Sequence, residues 1–285
     1  SVIFKATEYV NTGNITGDYN VGGLIGYAYT DGGSTISGAS GSGTITAKYK
    51  VGGLAGWLEN VSLNNCTNEG VKVIATEYFT ENTVKQGYIG GFVGRGHGVS
   101  GCVNNSNITY TAGGQYVGGI AGYLANPINN SSNNGEIIAT SSNYVGGLVG
   151  FLSCGGSYSL SNLKNTGKVS GNNYVAGVIG ELNNKSNEYT DYVVTSDKVT
   201  NEGSIEGVED VAGIMGRVYA NNSKNSVIFK ATEYVNTGNI TGDNKVGGLI
   251  GEFYSDGSST LKIYQDSSNM ADTPISAQTN LSITQ

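Results

Sequence analysis

The chain has 285 residues and a formal net charge of −7, with 46 glycines, 19 tyrosines and only 2 prolines. Its 15 basic residues are scattered, so nothing gathers the positive charge that phosphate neutralisation needs, and nucleic acid is excluded as an expected partner. No apolar run approaches the roughly 18 residues of a membrane helix, so no membrane insertion of this segment is expected, and the tyrosine content does not suit a disordered linker.

Ser1 begins inside a repeat, without an initiator Met or a signal peptide, so a piece of a longer chain is expected. The first turn, Asn11-x-Gly13, leads to Ile15 and then to the hexapeptide Val21-Gly-Gly-Leu-Ile-Gly26, with glycines at Gly23 and Gly26. The hexapeptide returns at Val51 with Gly53 and Gly56, and, after an insertion over 75–86, at Ile89 with Gly91 and Gly94. It follows at Val117 with Gly119 and Gly122, at Val145 with Gly147 and Gly150, and at Val175 with Gly177 and Gly180. The last copies start at Val211, with Gly213 and Gly216, and at Val246, with Gly248 and Gly251. Successive starts are 30, 38, 28, 28, 30, 36 and 35 residues apart.

Ala176 and Ala212 are accepted at the second position, whereas the third and sixth are glycine in every copy. That strictness predicts either a left-handed φ or a backbone pressed close to its neighbour. Asn-x-Gly turns recur upstream of most copies, at Asn133, Asn165, Asn201 and Asn236 among others, since Asn bonds its own backbone and Gly accepts positive φ. Two residues before the Asn stand Tyr9, Ala39, Cys66, Cys102, Ser131, Leu163, Val199 and Tyr234. Five before it stand Ala6, Ile36, Leu63, Val99, Ile128, Leu160, Ser196 and Ala231. Both columns are expected to face inward. The apolar runs are short, β-branched and bounded by Gly and Asn, and none sustains a 3.6-residue period.

The fold class expected is therefore all-β: one elongated parallel β-solenoid of about eight to nine coils over 1–266, with 267–285 a partial ninth coil, a cap or a departing tail. A propeller is the rival, but its blades run to about 40–50 residues. The first and fourth hexapeptide positions would face opposite ways in a regular strand. Either a Gly-Gly bulge turns both inward, the preferred reading, or Leu24, Leu54, Phe92 and Ile120 form an outer apolar stripe. Residues 1–26 and 226–251 match at 24 of 26 positions, differing only at Tyr19/Asn244 and Asn20/Lys245, which reports duplication of a 225-residue block. Beyond it, Leu261, Tyr264 and Asp266 fill the expected columns.

The Tyr-Val-Gly-Gly-Leu-Val-Gly string at 144–150 and the Asn-x-Gly turns around it resemble the GLUG motif, over about residues 6–264. The resemblance implies a secreted or cell-surface protein, since such repeats serve as accessory or stalk regions in adhesin-like proteins and immunoglobulin A-cleaving metallopeptidases. The peptidases' His-Glu-x-x-His zinc motif has no counterpart here, so that activity is not implied.

Catalytic candidates are few. His97 is the only histidine, which leaves no Ser–His–Asp or Cys–His device, and no metal or other cofactor is expected. Glu188, Asp191, Asp197, Glu202, Glu206, Glu209 and Asp210 form an acidic stretch without the spacing of a calcium loop, read as a solvated edge. Glu209-Asp210 is the only adjacent acidic pair, so carbohydrate cleavage is the least supported class. Cys66 and Cys102 share a column and are read as buried thiols, with a rung-to-rung disulfide the alternative; Cys154 is placed in a loop. Sequons such as Asn14, Asn107 and Asn239 permit glycosylation.

Tyr88, Tyr116, Tyr144 and Tyr174 precede four consecutive hexapeptides and are expected to form an outer ladder, which stabilises the sheet or offers a platform for sugars. The expected function is a non-catalytic extracellular stalk or adhesive shaft, with a self-assembling filament or surface layer as the alternative. Expected partners are other segments of the same repeat protein, the chain itself end to end, and surface glycans or proteins.

Overall fold

Two left-handed residues per coil convert alternating strands into a closed coil. The first precedes the hexapeptide: Asn20, Lys50, Tyr88, Tyr116, Tyr144, Tyr174, Asp210 and Lys245 all have φ between 49° and 73°. The second lies between the two upstream columns, at Gly38, Asn65, Gly101, Asn130, Asn162, Lys198 and Glu233. Positions three apart, such as Ile36 and Ala39, would face opposite sides of a regular strand; the left-handed residue between them brings both inward, and both are fully buried. Asn and Gly accept this conformation readily, whereas Tyr, Lys and Glu adopt it only under tertiary constraint.

The computed structural model describes residues 5–6, 10–185, 192–221, 227–255, 260–264 and 283–284. Among them there is no helix. The hexapeptide strands Tyr19–Gly22, Tyr49–Gly52, Val84–Gly90, Gln115–Gly118, Val145–Gly146, Asn173–Ala176, Glu209–Ala212 and Asn244–Gly247 form one continuous sheet, here numbered coils 1 to 8. Eight rungs bound about seven turns, slightly fewer than the coil number read from the sequence. The first hexapeptide residues stay in register throughout, Val21↔Val51↔Ile89↔Val117↔Val145↔Val175↔Val211↔Val246. The remaining faces pair in parallel in the same way, for example Leu63↔Val99↔Ile128. The insertion is shorter than the expected 75–86: Ala75 still pairs in the coil with Ala47 and Tyr110, and the excursion is a β-hairpin, Phe79–Glu81 against Val84–Gln86, turning on Asn82 and Thr83. Both turn residues have positive φ, 49° and 71°, as a two-residue hairpin loop requires.

The first and fourth hexapeptide positions are both buried, but in different cores. Val51, Ile89, Val117, Val145, Val175 and Val211 pack with the residues after each Asn-x-Gly turn, including Ile108, Ile137, Val169 and Ile205. Leu54, Phe92, Ile120, Leu148, Val178 and Ile214 pack in a second core with the two upstream columns. The chain passes from one core to the other at a Gly-Gly corner between strands, so no outer apolar stripe forms at these positions.

No hexapeptide glycine has a positive φ; close approach explains them instead. A Cβ on Gly119 would lie 2.2 Å from the Gly147 carbonyl oxygen and 2.4 Å from Asn133 Oδ1. One on Gly122 would lie 2.6 Å from the Tyr116 carbonyl oxygen. Third-position glycines thus face a turn asparagine and sixth-position glycines face the left-handed residue's backbone. Gly248, whose outer side no described coil covers, is the exception, with nothing within 4 Å.

Those asparagines form a buried ladder that the turn reading did not foresee. Asn104 Nδ2 donates to Asn133 Oδ1 at 2.7 Å, Asn133 to Asn165 at 2.8 Å, Asn165 to Asn201 at 2.8 Å and Asn201 to Asn236 at 2.7 Å. Each second Nδ2 hydrogen closes its own turn, as from Asn133 to the Gly135 carbonyl oxygen at 2.7 Å. Asn104, Asn133, Asn165 and Asn201 are fully buried, and all their amide hydrogens are used.

At the C-terminal side the register differs from the sequence expectation. Ile263, not Leu261, lies opposite Ala231, and Leu261 pairs with Phe229. A slip of two residues preserves which face each side chain takes, so an apolar pattern cannot detect it. Ile283–Thr284 pairs in parallel with Phe253–Tyr254. Asp266, Glu188, Asp191, Tyr9, parts of 1–26, Ser226 and most of 267–285 lie outside the described residues.

Candidate functional site

Because the residue before each hexapeptide is left-handed, its side chain stands on the outer face beside the residue that follows the sixth glycine. Two adjacent columns result. One reads Asn20, Lys50, Tyr88, Tyr116, Tyr144, Tyr174, Asp210 and Lys245; the other reads Tyr27, Trp57, Arg95, Tyr123, Phe151, Glu181, Arg217 and Glu252. The structure brings the four predicted tyrosines together as one stack. Ring centroids are 5.0 Å apart for Tyr88–Tyr116, 5.2 Å for Tyr116–Tyr144 and 4.7 Å for Tyr144–Tyr174, with interplanar angles of 18–25°.

The second column was missed in the sequence, because its residue types vary from coil to coil. Its only constant is a position one residue past the sixth glycine. Tyr123 and Phe151 stack on each other at 5.5 Å and meet Tyr116 and Tyr144 edge-on. A cation closes the Tyr174 end of the aromatic stripe. The Arg217 guanidinium lies 4.1 Å over Tyr174, and its Nη1 donates to the Tyr174 hydroxyl at 3.2 Å. At the other end Phe79 of the hairpin extends the stack to Tyr88, and Lys50 covers both Phe79 and Trp57. Arg95 is inserted between Trp57 and Tyr123, 4.9 Å from each ring. Burial pushes the Tyr88 and Tyr144 hydroxyls up to about 12, so the stripe is neutral phenol at physiological pH.

This geometry determines what the stripe offers. Face-to-face neighbours and the capping Arg217 cover the ring faces, so the stack presents ring edges and hydroxyls outward. A sugar would meet hydrogen-bonding hydroxyls here and not an open aromatic face.

Past Tyr174 the stripe becomes ionic. Glu181, almost fully buried, pairs with Arg217 through Nε at 2.7 Å and through Nη2; burial raises its carboxyl and Arg217 opposes that rise. Asp210 is also buried, and burial followed by the nearby Glu252 carboxylate pushes it up to about 6. Lys245 Nζ lies 3.5 Å from Asp210, 3.2 Å from Glu209 and 2.9 Å from Glu252. Elsewhere on the acidic stretch, Glu202 pairs with Lys164 at 2.7 Å and Glu206 with Lys168 at 2.8 Å, each from the preceding rung. The edge read as simply solvated is thus matched by lysines.

His97 Nε2 lies 2.6 Å from Asn126 Nδ2, and burial lowers its pKa. Cys66 and Cys102 are free, fully buried and in neighbouring rungs. Cys154 ends the strand Val149–Cys154 and is buried, where sequence placed a loop; burial pushes its thiol up to about 12. Among the described residues no three His, Cys, Asp or Glu side chains gather as a metal site, and no helix is long and apolar enough to cross a membrane. No protein family, no curated protein and no solved structure matches the chain.

Proposed function

We propose that this chain is a non-catalytic extracellular repeat module, the shaft or adhesive stalk of a surface protein. The observation that carries this reading is the continuity of bonding along the axis. Buried asparagine amides, stacked rings and rung-matched ion pairs each link successive coils, and the hexapeptide register continues past the hairpin over 79–86. Such a body transmits load along its axis and holds what it carries at a fixed distance. The GLUG resemblance points to the same role, and any surface contact would use the row of tyrosine hydroxyls and the flanking arginines.

Stretching a single chain between its ends tests the shaft. Stepwise release of one coil at a time under sustained load is expected, and collapse of the whole chain at negligible force removes the reading. Glycan and host-surface binding by Tyr116→Ala and Tyr144→Ala variants tests the adhesive part; binding equal to wild type would discard the stripe as its site.

A second reading, a subunit of an extracellular filament joined to copies of itself, is favoured by the match of residues 1–26 to 226–251, which gives coil 1 the residues by which coil 8 packs on coil 7. Electron microscopy of concentrated protein distinguishes the two readings: fibres of indefinite length support assembly, discrete particles the shaft.

A further inference from the structure

The buried columns repeat almost without change, so burial alone would let any coil stack on any other. Coils 1 and 8 make this acute. Coil 8 sits on coil 7 through Asn201↔Asn236, Ile205↔Ile240, Val211↔Val246 and Met215↔Ile250. Coil 1 carries Asn11, Ile15, Val21 and Ile25 at those same places. The edge of coil 7 therefore fits coil 1 of a second copy as well as its own coil 8.

Of the two positions that differ over the 26-residue match, Asn20/Lys245 lies on the outer stripe and Tyr19/Asn244 immediately before it, and each suits its own rung neighbour. Tyr19 stacks on Tyr49 at 5.8 Å and 8°, while its counterpart Asn244 lies opposite Glu209. Asn20 stands in the rung next to Lys50, where a lysine would face a like charge; its counterpart Lys245 reaches Asp210, Glu209 and Glu252. Among the described residues Lys245 is the only cation within 4.0 Å of the buried Asp210 carboxylate. Just past the match, Glu252 lies opposite Arg217, where coil 1 has Tyr27.

We propose that the outer stripe is the pairing code of the solenoid, and that Lys245 reserves the edge of coil 7 for coil 8 against coil 1 of a second copy. Coil 1 docked there would bring Asn20 to a buried carboxylate that needs a cation. Lys245 is partly exposed and Asp210 buried, so leaving that carboxylate without its cation disfavours docking by about tenfold. Exchange of coil 8 for coil 1 of a second copy is the route that this code closes.

The test is refolding of the full chain at high protein concentration, with the oligomer fraction read by size-exclusion chromatography and light scattering. Two differently tagged batches refolded together identify mixed oligomers. Wild type and Lys245→Arg are expected to refold as monomers, and Lys245→Asn to give about tenfold more mixed oligomer. Tyr19→Asn/Asn20→Lys, which makes coil 1 identical to coil 8 over the match and leaves coil 8 untouched, is expected to shift the same way. Monomer from both Lys245→Asn and the coil 1 variant, or as much oligomer from Lys245→Arg as from Lys245→Asn, overturns the proposal.

Discussion

Replacing Asn133 with alanine removes three buried hydrogen bonds at once. Its Nδ2 donates to the Gly135 carbonyl oxygen and to Asn165 Oδ1, and its Oδ1 accepts from Asn104 Nδ2, all at 2.7–2.8 Å. The side chain is fully buried, so water does not replace it without rearrangement. Each of the three partners left unsatisfied costs about 1–3 kcal/mol, and the sum is about 3–9 kcal/mol. Asn11 supplies the contrast. Gly41 holds the equivalent place in coil 2, so Asn11 has no amide partner there and only closes its own turn with Gly13, near the surface. Asn11→Ala should therefore cost about 0.5–1 kcal/mol. Urea unfolding followed by circular dichroism gives both values, the midpoints being compared directly because a repeat array need not unfold in one step. If the two variants fall within about 1 kcal/mol of each other, the ladder does not act as a coupled column and the reasoning fails.

Three further outcomes are expected. Gly119→Ala places a methyl between the Gly147 carbonyl and Asn133 and should lower stability by at least about 2 kcal/mol, whereas Gly32→Ala, with nothing within 4 Å, should leave the melting temperature nearly unchanged. The Asp210 carboxyl, held up to about 6 against its ordinary 3.8, keeps its proton longer in the fold than in the open chain. Its contribution to stability should fall as pH rises from about 4 to about 6 and level off above, and Asp210→Asn should flatten that part of the pH profile of unfolding. A double-mutant cycle on Tyr116→Leu and Tyr144→Leu should give a coupling of about 0.5–1.5 kcal/mol; additive effects would mean that the rings share a surface without interacting.

How much of this was readable in advance follows from what a repeat leaves invariant. The rung spacing, the in-register hexapeptides and the tyrosine ladder were legible because the same residue recurs at the same place. The reason for the strict glycines was legible only as a choice between two causes. The left-handed positions went unnoticed because Tyr88, Lys198 and Asp210 give no local sign of positive φ; tertiary packing imposes it. The asparagines announced a turn, but a turn residue is normally solvated, so their burial required knowing that neighbouring amides could satisfy them. The second outer column stayed hidden because Arg95, Phe151 and Glu181 share no chemistry, only a position.

The hairpin over 79–86 also bears on what the chain tolerates. Coil 3 takes on its extra residues as an excursion that turns on Asn82 and Thr83, docks Phe79 between Tyr49 and Tyr88, and rejoins the rung at Ile89, opposite Val51 and Val117. Foreign loops grafted at that tip would be displayed at a fixed height on the rod while the scaffold beneath keeps its spacing, making the tip a natural mounting point for cargo.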